Sequence, residues 1–141
     1  MKLLVASLSV LAALCLQSEA KTFDRCGLVR ELKKQKFPNN QLRDWVCLIE
    51  GESSRRTDVI GPPNTDGSRD HGLFQINDRY WCNNGPTPGK ECRVTCADLR
   101  TDNISKASAC AKKIYQVQGF SAWTAWTRDC KGKKLPDISK C

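Results

Sequence analysis

Apolar and polar positions divide the chain into segments of different period. Leu3 to Leu16 is an almost continuous apolar run. From Asp24 to Lys34, Leu28, Val29 and Leu32 fall on one side of a helix. The pattern is clearer from Gln41 to Gly51, where Leu42, Trp45, Val46 and Ile49 recur at helical spacing. Between Ser53 and Gly89 the texture changes to Gly, Pro, Asn, Asp and Ser, broken by short apolar pieces such as "LFQI", which predicts hairpins and loops. Helical spacing returns over Asn103–Gln116, carried by Ile104, Ala107, Ala111, Ile114 and Tyr115, with Asp102 as N-cap. A short last helix fits "SAWTAWT", Ser121–Thr127. The fold class is therefore α+β: a helical lobe with a small β/loop lobe inserted in it, and a cleft between the lobes as the natural ligand site.

The run Leu3–Leu16 follows Lys2 and precedes the small residues Ser18 and Ala20. It is too short for a membrane span and reads as the core of a signal peptide over residues 1–20, with a buried N-terminal helix as the alternative. Residues 21–141 then form one secreted domain that starts at Lys21. Cys15 leaves with the leader, and Cys26, Cys47, Cys82, Cys92, Cys96, Cys110, Cys130 and Cys141 remain. An even set in an exported chain predicts disulfides. Zinc at Cys92 and Cys96 is the competing reading, but His71 is the one histidine available to help. The net charge of +8 favours anionic partners such as bacterial walls, acidic glycans, nucleic acid or anionic membranes.

Two carboxylates stand out. Glu52 lies four residues after Leu48 and seven after Trp45, near the apolar side of its helix and at its C-terminal end. Desolvation and the negative helix end both raise a carboxyl pKa there, which suits a general acid. Glu50 flanks the same stripe, and periodicity does not choose between the two. Asp70 sits in "NTDGSRDHGLFQIN" among Asn64, Thr65, Asp66, Ser68, Gln75 and Asn77, whose hydrogen bonds would keep it ionised. Two carboxylates in opposed environments suit glycoside cleavage. A turn-capping Asp and a solvated Glu are the plain alternatives. "NTDG" lacks the alternating acids and closing Glu of an EF-hand calcium loop.

The segments "WVCLIEGES", "NTDGSRDHGLFQIN", "RYWC", "CAKKI" and "AWTAW", with the spacing of the eight cysteines, resemble the c-type lysozymes over essentially the whole of residues 21–141. The resemblance implies a secreted muramidase that cuts the β-1,4 bond between N-acetylmuramic acid and N-acetylglucosamine in peptidoglycan. It implies a retaining mechanism with Glu52, rather than Glu50, as acid and base and Asp70 as nucleophile or charge stabiliser. It implies the pairs Cys26–Cys141, Cys47–Cys130, Cys82–Cys96 and Cys92–Cys110. Sugar contacts are expected from the backbone of Asn77 and Ala122, from Asn64 and Gln75 beside the scissile bond, and from the aromatic faces of Tyr80 and Trp81. Trp123 is expected to pack against Glu52, with Trp45 and Trp126 in the core. No cofactor is implied. The expected partners are peptidoglycan, chitin-like oligosaccharides and the anionic bacterial surface, with no specific nucleic acid; a monomer is expected.

The sequence departs from the common pattern in places. Tyr80 stands where many vertebrate members carry Trp and arthropod members often carry Tyr, so the likeness is nearest the arthropod branch. His71 stands where Tyr is usual; it reads as a structural residue, with a charge effect on adjacent Asp70 as the alternative. The segment between Cys110 and Trp123 is one residue shorter than in familiar members, and Val117 and Gln118 offer no carboxylate for the outermost sugar subsite. The positions where some relatives bind calcium hold Arg100, Ser105 and Lys106, so no metal site is expected. Asn103 opens a glycosylation sequon with Ile104 and Ser105. A non-catalytic glycan-binding module and a cationic membrane-active protein are the competing functions on the same fold.

Overall fold

The computed structural model describes residues 21–141. The leader expected at 1–20 lies outside the described residues. Helix α1 spans Arg25–Lys34; Asp24 is its N-cap, accepting the Gly27 N–H at 2.6 Å, while Lys33 and Lys34 face the negative end of the helix. Its buried face is Leu28, Val29 and Leu32, as the periodicity predicts. Helix α2 spans Leu42–Ser53 and buries Leu42, Trp45, Val46, Cys47, Leu48 and Ile49. It runs past Gly51, where the apolar pattern ends, and stops at Ser54 in the left-handed region at φ 52°. The two extra residues keep Glu52 on a helical scaffold.

Two more helices complete the larger lobe. Helix α3 spans Ser105–Gln118, starting two residues later than the pattern suggests. Asp102 does not cap it: the Thr57 hydroxyl donates to Asp102 at 3.3 Å, and the Asn103 side-chain oxygen takes the Ser105 N–H at 3.0 Å. The expected helix over Ser121–Thr127 is two pieces, a 3-10 turn at Phe120–Ala122 and helix α4 at Thr124–Asp129. Trp123 between them is extended, and its indole N–H donates to the Phe74 carbonyl at 2.8 Å across the lobes. That contact breaks what local propensity would have made continuous.

The smaller lobe is mostly loop. Strands β1 (Asp70–His71) and β2 (Ile76–Asn77) pair antiparallel, with Asp70 opposite Asn77 and His71 opposite Ile76. A third segment bridges β1 at Ile60. Gly72 turns the chain at φ +78°, and a Cβ there would lie 1.7 Å from the Leu99 carbonyl oxygen. Only glycine allows the hairpin to sit this close to the 3-10 turn Ala97–Arg100.

The core is centred on Trp45, 1% exposed, which meets Phe37, Phe74, Phe120 and Trp123 edge-on with ring centroids 4.9–6.0 Å apart. Trp126 lies at its margin, stacked on Phe120 and donating to Asp44. The bridges are Cys26–Cys141, Cys47–Cys130, Cys82–Cys96 and Cys92–Cys110, which disposes of the zinc reading. Each such bridge in a small secreted domain is worth about 2–5 kcal/mol. Among the described residues, no helix is long and apolar enough to cross a membrane.

Candidate active site

A cleft of about 390 Å³ opens between the lobes, lined by Glu52 from one side and Asp70 from the other. Asn64, Gln75, Asn77, Tyr80, Trp81, Ala122 and Trp123, the remaining residues expected at the site, also line it.

Glu52 lines the cleft one residue after a glycine that sits against α4. A Cβ at Gly51 would lie 2.9 Å from the Ala125 Cβ, so glycine lets α4 approach α2 closely. The Ala125 N–H then donates to a Glu52 carboxylate oxygen at 3.0 Å. Burial raises the Glu52 pKa above the ordinary carboxylate value, and the charge of Asp70 adds to the rise. The Ala125 hydrogen bond and Arg128 oppose it without cancelling it. Glu50 has a different setting: it is half-buried in ion pairs with Arg25 at 2.9 Å and Arg55 at 3.1 Å.

Asp70 is held by amides. The Asn77 side-chain N–H donates to Asp70 Oδ1 at 3.0 Å and that of Asn64 at 3.4 Å. The same two amide groups donate to Ser68 Oγ, at 2.8 and 3.1 Å, and Ser68 donates onward to Asp66 at 2.5 Å. The Ser68 hydroxyl, the Ser68 backbone N–H and Arg79 together pull the Asp66 carboxyl down to about 2, so it is a permanent acceptor that fixes the hydroxyl. Each amide is thereby aimed at Asp70 by its second N–H. The Asp78 N–H donates to the Arg69 carbonyl at 2.9 Å, making Asp70–Asn77 the non-hydrogen-bonded pair of the ladder. The Asn77 backbone N–H therefore points away from β1.

The walls differ in character. Tyr80 is 56% exposed, with the Arg79 guanidinium 5.2 Å from its ring, whereas Trp81 is buried. The Gln75 side chain is tied to the Val59 and Gly72 carbonyls at 3.2 and 3.0 Å. Gln118 lines the groove while neighbouring Val117 is exposed. Sequence reasoning missed Ile76, Ile114 and Thr124 in the lining, and the Ala125 N–H on Glu52. Gly51 was the one available hint of a close helix approach.

His71 is aimed elsewhere than at Asp70. Its ring is 3% exposed, and Nε2 lies 3.0 Å from Asp78 Oδ2. The His71 ring therefore makes its polar contact with Asp78 and not with Asp70. His71, Cys82 and Cys96 are the one His/Cys/Asp/Glu group with metal-ligand spacing among the described residues, but the two cysteines are bonded to each other and offer no thiolate. Of the residues at the positions where some relatives bind calcium, Lys106 lies 3.5 Å from Asp98 and Arg100 donates to the Cys96 carbonyl.

The chain has relatives among known proteins. The chain is 59% identical to the lysozyme of Bombyx mori, covering 93% of this chain and 94% of that one. It is 56% identical to the lysozyme of Hyalophora cecropia, covering 97% of each. The crystal structure of canine milk lysozyme superposes with a TM-score of 0.77 at 36% identity, over 86% of this chain and 98% of that one. The family model described as C-type lysozyme/alpha-lactalbumin matches residues 21–141, and the chain belongs to that family.

Proposed function

We propose that Glu52 and Asp70 are the working pair of this muramidase, acting on the β-1,4 bond between N-acetylmuramic acid and N-acetylglucosamine in peptidoglycan. The observation that carries the reading is the contrast across one cleft: a partly buried carboxyl with a raised pKa faces a carboxylate held by two amides. Two such groups divide the labour of glycoside hydrolysis. Glu52 gives its proton to the glycosidic oxygen as the C1–O bond breaks. Asp70 meets the positive charge that develops at C1, either by bonding to it or by stabilising it. Water then attacks C1, Glu52 takes a proton from that water, and the enzyme returns to its starting state. Retention of configuration calls for carboxyl groups roughly 5–5.5 Å apart.

The remaining lining residues hold the sugar. Tyr80 offers an exposed face for a pyranose ring, and Trp81, largely buried, presents its edge of the cleft beside it. The Asn77 N–H, turned away from β1, and the Ala122 carbonyl suit an N-acetyl group. Asn64 and Gln75 sit beside the bond to be cut. The chain acts outside the cell as a monomer, on the anionic bacterial surface and on chitin-like oligosaccharides, after removal of residues 1–20. The net charge of +8 and the four bridges support that setting.

The test is product analysis. Digested peptidoglycan should carry new reducing ends on N-acetylmuramic acid, and proton NMR of a chito-oligosaccharide digest should show the β-anomer first. Reducing ends on N-acetylglucosamine alone, or the α-anomer first, contradict the proposal.

A further inference from the structure

One buried ionisable pair takes no part in the chemistry just described. Asp78 is 7% exposed and His71 3%. Asp78 follows β2 and is the junction of the small lobe. Its backbone N–H donates to the Arg69 carbonyl at 2.9 Å, and its Oδ1 accepts the Arg69 N–H at 3.2 Å. Its Oδ2 lies 3.0 Å from His71 Nε2 and accepts from the Asn84 amide at 2.8 Å. Its carbonyl accepts from Lys90. Burial pushes the Asp78 carboxyl up, but the His71, Asn84 and Arg69 hydrogen bonds outweigh this and leave it below the ordinary value. An ionised carboxylate only accepts, so the imidazole presents Nε2–H to it. Nδ1 has no partner, which leaves Asp78 as the ring's sole polar anchor among the described residues.

The position of this junction matters because of its neighbours in the chain. Asn77, one residue before, donates to Asp70. Arg79, one residue after, binds Asp66 at 3.1 Å, and Tyr80 and Trp81 then form the aromatic wall. His71 stands beside Asp70 on β1. The His71–Asp78 bond therefore joins the strand bearing one carboxylate to the segment bearing the sugar-facing rings.

We propose that His71 and Asp78, completed by Asn84, are positioning residues that set the aromatic wall of Tyr80 and Trp81 relative to Asp70. They touch no saccharide themselves. The proposal rests on the reading that Asp70 and this wall act on the sugar.

The test is the split between KM and kcat on a soluble chito-oligosaccharide, measured on the whole mature protein. In His71→Ala, KM should rise about tenfold, the scale set by losing a buried hydrogen bond to a charged group, with a smaller fall in kcat. His71→Gln places an amide N–H near the position of Nε2 and should return KM to within about twofold of the parent. A merely structural histidine would lower the melting temperature and leave KM unchanged; that result overturns the proposal. If His71→Ala does not fold, Asn84→Ala decides. Asn84 is exposed, and its loss removes one bond to Asp78 without opening a cavity. Its KM should rise about threefold, and a parental KM overturns the proposal. Glu52→Gln and Asp70→Asn run in the same assay separate the two ideas. If they stay active, the reading of the site fails; if they are inactive while the His71 variants bind as the parent does, the positioning role alone fails.

Discussion

Glu50 and Glu52 sit two positions apart on one helix with different partners, one between two arginines and the other under α4, where it takes the Ala125 N–H. The difference was not legible from periodicity, because both flank the apolar stripe of α2. It is made by what packs against the helix, and a backbone N–H such as that of Ala125 leaves no side-chain mark in the sequence. The surroundings of Asp70 were more legible, since Asn64, Ser68 and Asn77 advertise hydrogen bonding by residue type and lie close in sequence. The raised Glu52 pKa has two consequences. Glu52 stays protonated to higher pH than an ordinary glutamate, so with Glu52 as the proposed general acid the alkaline limb of the kcat/KM profile should fall where it loses its proton. The folded state also binds this proton more tightly than the unfolded chain does. The linked stability is present below the ordinary carboxylate pKa and lost as pH rises through the raised value. Glutamine does not titrate, so Glu52→Gln should melt higher than the parent at neutral pH, and this advantage should vanish in acid. An equal offset at both pH values in thermal unfolding would contradict the shift.

At the scale of elements, the helices were legible because each buries one stripe. The starts and stops were less so: Asp102 has the chemistry of an N-cap but is taken by Thr57, and Trp123 breaks the last helix by reaching Phe74. Both outcomes depend on residues far away in sequence. The hairpin was legible as a turn-rich region, but not its seat against Leu99. Gly72 carries that seat, being both left-handed and too close to the Leu99 carbonyl for a side chain. Gly72→Ala should cost about 2–4 kcal/mol in urea unfolding, because backbone has to move on both sides. It should also weaken oligosaccharide hydrolysis, since β1 carries Asp70. A variant as stable as the parent would show that the hairpin seat is not tight.

For the whole molecule, the two-lobe plan and the bridges followed from the order of helical and turn-rich segments and from the resemblance. The cleft itself depends on how the lobes are set, which no local pattern records. The charge of +8 belongs to this scale. Attraction to an anionic wall is screened over about 8 Å at physiological ionic strength. Lysis of whole bacteria should therefore fall with salt while hydrolysis of short neutral chito-oligosaccharides changes little. Equal salt sensitivity would mean that the basic surface does not steer recognition. The central claim is that Glu52 and Asp70 carry out the cleavage, and hydrolysis of purified peptidoglycan by point variants, each shown to fold by circular dichroism, tests it most directly. Glu52→Gln should fall at least about a thousandfold, since an amide cannot supply the proton. Asp70→Asn should fall heavily but leave a residue of activity, and Glu50→Gln should match the parent. Near-parental rates in both Glu52→Gln and Asp70→Asn would contradict the account.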